Sequence, residues 1–228
     1  MVSIKKNLCA KDQLPTQAAK SLASIIVASV KNRGHCYCAL SGGSSPKPML
    51  SALAQENLPW NDVSFLLVDE RWSNEASQQN ISMITEFVTQ TGKQNIDVFS
   101  LLLETEFESN LAACEQLAQS LPQQLDLVVL GMGLDGHTAS LFPDAEEYQS
   151  AMTSSQRYVS VTPPEAPHRR ISMSFDWISR ARHVALYIPG KDKLSCFETI
   201  LNQSESISPI KELVLQAPEK LTVFSSED

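Results

Sequence analysis

The chain has 228 residues, 43% hydrophobic and 19% charged, with 8 glycines and 12 prolines. That apolar content excludes a disordered chain, and the length supports a buried core without disulfides or metal, expected as a single domain over residues 1–228. With 18 Lys and Arg against 26 Asp and Glu, the net charge is −8, which argues against broad attraction to nucleic acid or anionic lipid and leaves room only for a local basic pocket.

The opening MVSIKKNLCAKDQLP has no continuous apolar stretch behind its lysines, and no later run reaches membrane-spanning length. A cytoplasmic enzyme or binding protein without membrane contact is expected. TQAAKSLASIIVASVKNRG then reads as an amphipathic helix: Thr16 is expected to cap it, Leu22, Ile26 and Val30 share a face, and Gly34 follows its end. CYCAL (36–40) suits a buried strand, SGGSSP breaks it, and PMLSALAQEN resumes a helical period. The alternation continues through the strand candidates VSFLLV (63–68), IDVFSL (96–101), LDLVVLG (125–131), YVSVT (158–162), HVALYI (183–188) and LTVFS (221–225). Near-continuous apolar strands separated by helices predict an α/β fold: a mostly parallel, doubly wound sheet with helices on both faces, which binds ligands at the carboxyl ends of its strands. The Pro-rich stretch SSQRYVSVTPPEAPHRR is expected to be a site-facing loop. Five cysteines without C-x-x-C spacing are expected to be buried thiols rather than a disulfide framework or zinc site.

Five of the eight glycines fall in two loops after strands: Gly42 and Gly43 in SGGSSP, and Gly131, Gly133 and Gly136 in GMGLDGH. Glycine lets backbone N–H groups approach an anion, and a following helix N-terminus adds partial positive charge, so Ser41, Gly42, Gly43 and Ser44 are a candidate phosphate cradle, against the plainer reading of a tight turn. No Walker loop is present. Gly131-x-Gly133-x-x-Gly136 formally matches a dinucleotide fingerprint, but no acidic residue ends the next strand candidate and Asp135 would repel a pyrophosphate. His137 is the acid/base candidate: it follows a glycine-rich strand end, lies two residues from Asp135 and is expected at a helix start. Such a helix would lower imidazole basicity and the carboxylate would raise it. Asp69, Glu70 and Arg71 are expected to end the strand before them. Arg170, Lys191 and Lys193 add cations at two further segment edges.

SGGSSP, VDERW, LGMGLDGHTASLFP, RRIS and GKDK, in this order across residues 41–193, resemble the 6-phosphogluconolactonase family, whose fold is similar to that of glucosamine-6-phosphate deaminase. The resemblance implies hydrolysis of 6-phospho-D-glucono-1,5-lactone to 6-phosphogluconate in the oxidative pentose phosphate pathway, with no metal or organic cofactor. Residue by residue it implies His137 as general base, Asp135 as its support, and Ser41, Gly42, Gly43, Ser44, Asp69, Arg71, Arg170 and Lys193 as substrate contacts. Its partner is a phosphorylated sugar lactone, with no nucleic acid, no membrane and no obligatory protein partner. Two departures stand out: WSNEASQQN follows DER, with Gln79 before Asn80, and Arg170-Ile171-Ser172 replaces the usual R-I-T. The competing readings are a sugar-phosphate isomerase or deaminase using Asp69, and a non-catalytic sugar-phosphate sensor.

Overall fold

The computed structural model describes residues 4–227. In chain order the elements are β1 (Lys5–Cys9), α1 (Leu14–Arg33), β2 (Cys36–Leu40), α2 (Lys47–Leu53), β3 (Val63–Leu67), β4 (Asp69–Arg71), α3 (Asn80–Gln90), β5 (Asp97–Phe99), α4 (Phe107–Gln119), β6 (Leu127–Leu130), α5 (Tyr148–Thr153), β7 (Tyr158–Val161), β8 (Arg170–Met173), α6 (Phe175–Arg180), β9 (His183–Ile188), α7 (Lys191–Asn202), α8 (Pro209–Gln216) and β10 (Leu221–Ser226). Seven strands, ordered β1-β10-β9-β6-β2-β3-β5, pair in parallel throughout. Every residue of β3 and β6 is buried. Successive side chains of a strand point to opposite faces, so this burial requires cover on both.

Helix α1 starts earlier than its sequence suggests. Pro15 sits in the first turn, where a missing N–H costs nothing, and Thr16 lies inside the helix rather than capping it; the N-cap is Gln13, without a side-chain cap bond. At the other end Gly34 adopts φ 79° and its N–H bonds Val30 O, a left-handed stop that suits glycine. Leu22 and Ile26 are fully buried against the core, while Val30 is only partly covered.

Two expectations about strands are corrected. Asp69–Arg71 does not end β3 but forms β4, and Tyr158–Val161 joins it with β8 in a separate antiparallel sheet ordered β4-β8-β7. An apolar run announces burial in a strand but not the direction of its partner. Buried Glu70 fixes β4 to the next helix, accepting from the N–H groups of Arg71 (2.7 Å), Asn80 (2.7 Å) and Ile81 (2.8 Å). Burial raises its carboxyl above the usual value, and these three N–H bonds oppose that rise.

None of the cysteines forms a disulfide. Cys36, Cys38 and Cys114 are buried as expected, and burial pushes the Cys36 and Cys114 thiols up to about 12, while Cys9 and Cys196 are only partly covered. Among the described residues no helix is long and apolar enough to cross a membrane.

The strand order reverses between β2 and β6. From β2 the chain proceeds outward to β3 and β5, and from β6 it proceeds the other way to β9 and β10. The connections leaving these two neighbours diverge and open a crevice at their carboxyl ends.

Candidate active site

That crevice is a cleft of about 360 Å³, within the range of roughly 300–1,000 Å³ common for small-molecule sites. The two glycine loops form its floor. Ser41 N donates to Val129 O at 3.0 Å and Gly131 N lies 3.4 Å from Ser41 Oγ, so the ends of β2 and β6 are held side by side.

Beyond Ser41 the backbone turns, with Gly43 at φ 89°, a conformation that favours glycine. Among the described residues, the N–H groups of Gly42, Gly43, Ser44 and Ser45 have no protein acceptor. Four undonated N–H groups in succession before α2 form a concavity suited to an anion. Lys193, in the first turn of α7, reaches the same loop and donates to Ser45 Oγ at 3.1 Å. Its partial burial lowers its pKa from the ordinary lysine value by desolvation.

The opposite wall comes from the small sheet. Arg71 and Arg170 are cross-strand partners on β4 and β8. Arg71 Nη1 donates to Gln78 O at 2.9 Å. Arg170 is 7% exposed; Nη2 is 3.3 Å from Pro167 O, and among the described residues its buried Nε has no hydrogen-bond partner. Burial lowers the pKa of its guanidinium, while the charges of Asp69 and Glu70 support it. Ala166, from the Pro-rich stretch, completes this rim, in line with its reading as a site-facing loop.

His137 lies on the loop after β6. The expected helix does not begin there: residues 134–141 make two tight turns, Ala139 takes φ 52°, and the next helix is α5. The loop therefore lacks the helix a dinucleotide fingerprint requires. Nδ1 of His137 donates to Asp135 Oδ1 at 2.5 Å, which assigns the proton to Nδ1 and leaves Nε2 as the basic nitrogen. The same bond lowers the Asp135 carboxyl below the usual range, against the opposing effect of its partial burial. The ring packs 4.2 Å from the Phe142 ring centroid-to-centroid. On the Gly133 side it leaves no room: a Cβ there would lie 2.4 Å from the imidazole and 2.3 Å from Asp135 Oδ1.

A family model described as glucosamine-6-phosphate isomerases/6-phosphogluconolactonase matches residues 10–223. The chain belongs to this family. A 6-phosphogluconolactonase of Neisseria meningitidis serogroup A is 33% identical over 221 residues, covering 92% of this chain and 95% of that protein. One from Mesorhizobium japonicum is 31% identical over 218 residues, covering 94% and 91%. The crystal structure of a 6-phosphogluconolactonase from Shewanella baltica OS155 matches with a TM-score of 0.89 and 31% identity, over 99% of this chain and 98% of that one.

Within this family fold, the residues named from sequence converge: Ser41, Gly42, Gly43, Ser44, Asp69, Arg71, His137, Arg170 and Lys193 all line the cleft, and Asp135 stands behind His137. Lys191 does not line it. Sequence reasoning passed over Ser45, Asn80, Ser140 and Phe142, which do. Asn80 carried a signal, as the asparagine that closes WSNEASQQN after Asp69-Glu70-Arg71. Ser140 carried one too, three residues after His137. Among the described residues no group of three or more His, Cys, Asp or Glu side chains is arranged to hold a metal ion.

Proposed function

We propose that the chain hydrolyses 6-phospho-D-glucono-1,5-lactone to 6-phosphogluconate, the lactone-opening step of the oxidative pentose phosphate pathway, acting as one catalytic unit in the cytoplasm. One observation carries this reading: a His–Asp pair with a free basic nitrogen shares a cleft with four undonated N–H groups, two arginines and a lysine. The 6-phosphate sits on the Ser41–Ser44 backbone, Lys193 and Arg170, and this remote binding holds the ring ester near His137. Nε2 of His137 takes a proton from water as the water oxygen bonds to C1. The resulting tetrahedral oxyanion collapses, the bond from C1 to the ring oxygen breaks, and that oxygen receives the proton from His137. Asp135 keeps the imidazole in the required tautomer and balances the imidazolium that forms. Arg71, tethered to Gln78, brings a second guanidinium to the phosphate or to the developing oxyanion.

The lactone also opens spontaneously, so the test compares freshly generated 6-phosphogluconolactone with and without protein, beside unphosphorylated gluconolactone. The expected result is a rate well above background that strongly prefers the phosphorylated substrate, with Arg170→Ala and Lys193→Ala each raising its KM by about tenfold or more, as loss of a charged hydrogen bond does. Oxygen from water should enter the C1 carboxylate. Solvent deuterium at C2 would instead support the isomerase or deaminase reading, and tight binding with no acceleration would support a sensor.

A further inference from the structure

Asp69 presents its carboxylate to the cleft while only 7% exposed. Its two oxygens are held from different parts of the fold. Oδ2 accepts from Ser140 Oγ at 2.6 Å, and Oδ1 lies 3.2 Å from Asn80 Nδ2, which also donates to Asp69 O at 2.9 Å. Ser140 is itself pinned: it is 1% exposed, and its N–H donates to Ser172 Oγ at 3.1 Å, whose hydroxyl in turn donates to Met173 O at 3.0 Å. The turn that delivers Ser140 passes through Ala139 at φ 52°, a left-handed conformation that alanine adopts at a cost. Each Asp69 oxygen keeps acceptor capacity after these bonds, since a carboxylate oxygen takes two donors. A carboxylate with fixed orientation and spare acceptor sites, in a cleft otherwise rich in donors, is matched to a ligand hydroxyl.

We infer that Ser140 is a positioning residue: its hydroxyl holds Asp69 so that the carboxylate accepts from a ring hydroxyl of the phosphorylated sugar, making the site selective for hydroxylated over deoxy substrates. A buried acceptor built for a hydroxyl rejects the analogue lacking it, because the acceptor is then left unpaired and desolvated. The inference rests on the sugar-phosphate reading of the cleft but not on turnover, so its test is a binding measurement. The probes are 1,5-anhydroglucitol 6-phosphate, which has no lactone carbonyl to hydrolyse, and its 2-, 3- and 4-deoxy derivatives, titrated by calorimetry. Wild-type protein should bind the parent about tenfold more tightly than at least one deoxy derivative. Asp69→Asn and Ser140→Ala should each reduce that preference to about threefold or less, and Ser140→Thr should retain it. A purely structural role for Ser140 would lower the melting temperature and leave the ratio between parent and deoxy ligand intact. That outcome, or a wild-type protein indifferent to all three hydroxyls, overturns the inference. If Ser140→Ala does not accumulate folded, Ser140→Cys, close in volume and a weaker donor, is read by the same ratio. Failure of the hydrolase reading shows separately, as absence of lactone turnover in wild-type protein that still discriminates between these ligands.

Discussion

The two ends of the central sheet treat buried charge in opposite ways. At the amino ends of the strands, Asp126 has a side chain only 6% exposed with both oxygens engaged: Oδ1 meets Arg33 Nε at 2.6 Å and Arg182 Nε at 3.7 Å, and Oδ2 accepts from Tyr37 N at 2.8 Å. Its own backbone also bonds Tyr37 O and His183 N. At the carboxyl ends donors stand open: among the described residues, four loop N–H groups and Arg170 Nε have no hydrogen-bond partner, and Lys193 donates to the Ser45 hydroxyl. Of these donors Arg170 Nε is buried, whereas Gly43 and Ser44 are exposed and Gly42, Ser45 and Lys193 are partly covered. A buried donor left unpaired opposes stability, so the gathering of open donors around it marks where a ligand completes the bonding, whereas Asp126 completes its bonding within the chain.

The sharpest way to test this division is to remove the imidazole. His137→Ala should lower turnover by roughly two or more orders of magnitude, as loss of a general base does, and leave binding of a sugar phosphate in place, because the anion-holding groups lie on other elements. Steady-state kinetics with a parallel binding titration reads both. Retained turnover would remove His137 from the chemistry.

The opposite end should behave in the reverse sense. Asp126→Ala strips a buried carboxylate from Tyr37 N and leaves Arg33 without its partner; Arg33 keeps access to water, so the cost is about 2 kcal/mol rather than that of a fully buried pair. In a chain of this size that lowers the melting temperature by about 4–8 °C, with kcat and KM within about twofold of wild type. Thermal unfolding and kinetics on the same preparation decide it, and a loss of turnover without a loss of stability would break the contrast between the two ends.

How far this contrast was legible in the sequence depended on the range of the signal. β2, β3, β6, β9 and β10 announce themselves as apolar runs, and the glycines after β2 and β6 mark the ends that form the cleft. β1, KKNLC, is an edge strand with two exposed lysines and no alternation to betray it, so it was missed. β4 and β8 have three and four residues, and their pairing joins Asp69 to Ser172 across about a hundred positions, beyond any local pattern. The same limit explains Ser140, whose partner Asp69 lies 71 residues away. The helix expected at His137 failed for a different reason: glycine and a small-residue run after a strand suit a helix start or a pair of tight turns equally well. Here the bonds of Gly133 N to His137 O and Leu141 N to Thr138 O selected turns.

The subtlest test compares two aspartates of the same chemistry. Asp135 has one strong partner, the His137 Nδ1–H, and its side chain is 51% exposed, whereas Asp126 is enclosed. The bond to His137 holds the Asp135 carboxyl below its ordinary value of 3.8. In the window between its folded value and 3.8 the unfolded chain binds more protons, so stability rises with pH there. The contribution is fully present above 3.8 and is lost as pH falls through the lower folded value. Exposure and solvent screening keep it below about 1 kcal/mol. Urea unfolding of wild type and Asp135→Asn should therefore show a small stability difference at pH 5 that shrinks on acidification below pH 3.8. The same substitution should cost turnover at neutral pH, because an amide still accepts from Nδ1–H but cannot balance an imidazolium. A stability gap that ignores pH while turnover stays at the wild-type level would place Asp135 with Asp126, among the residues that only hold the fold.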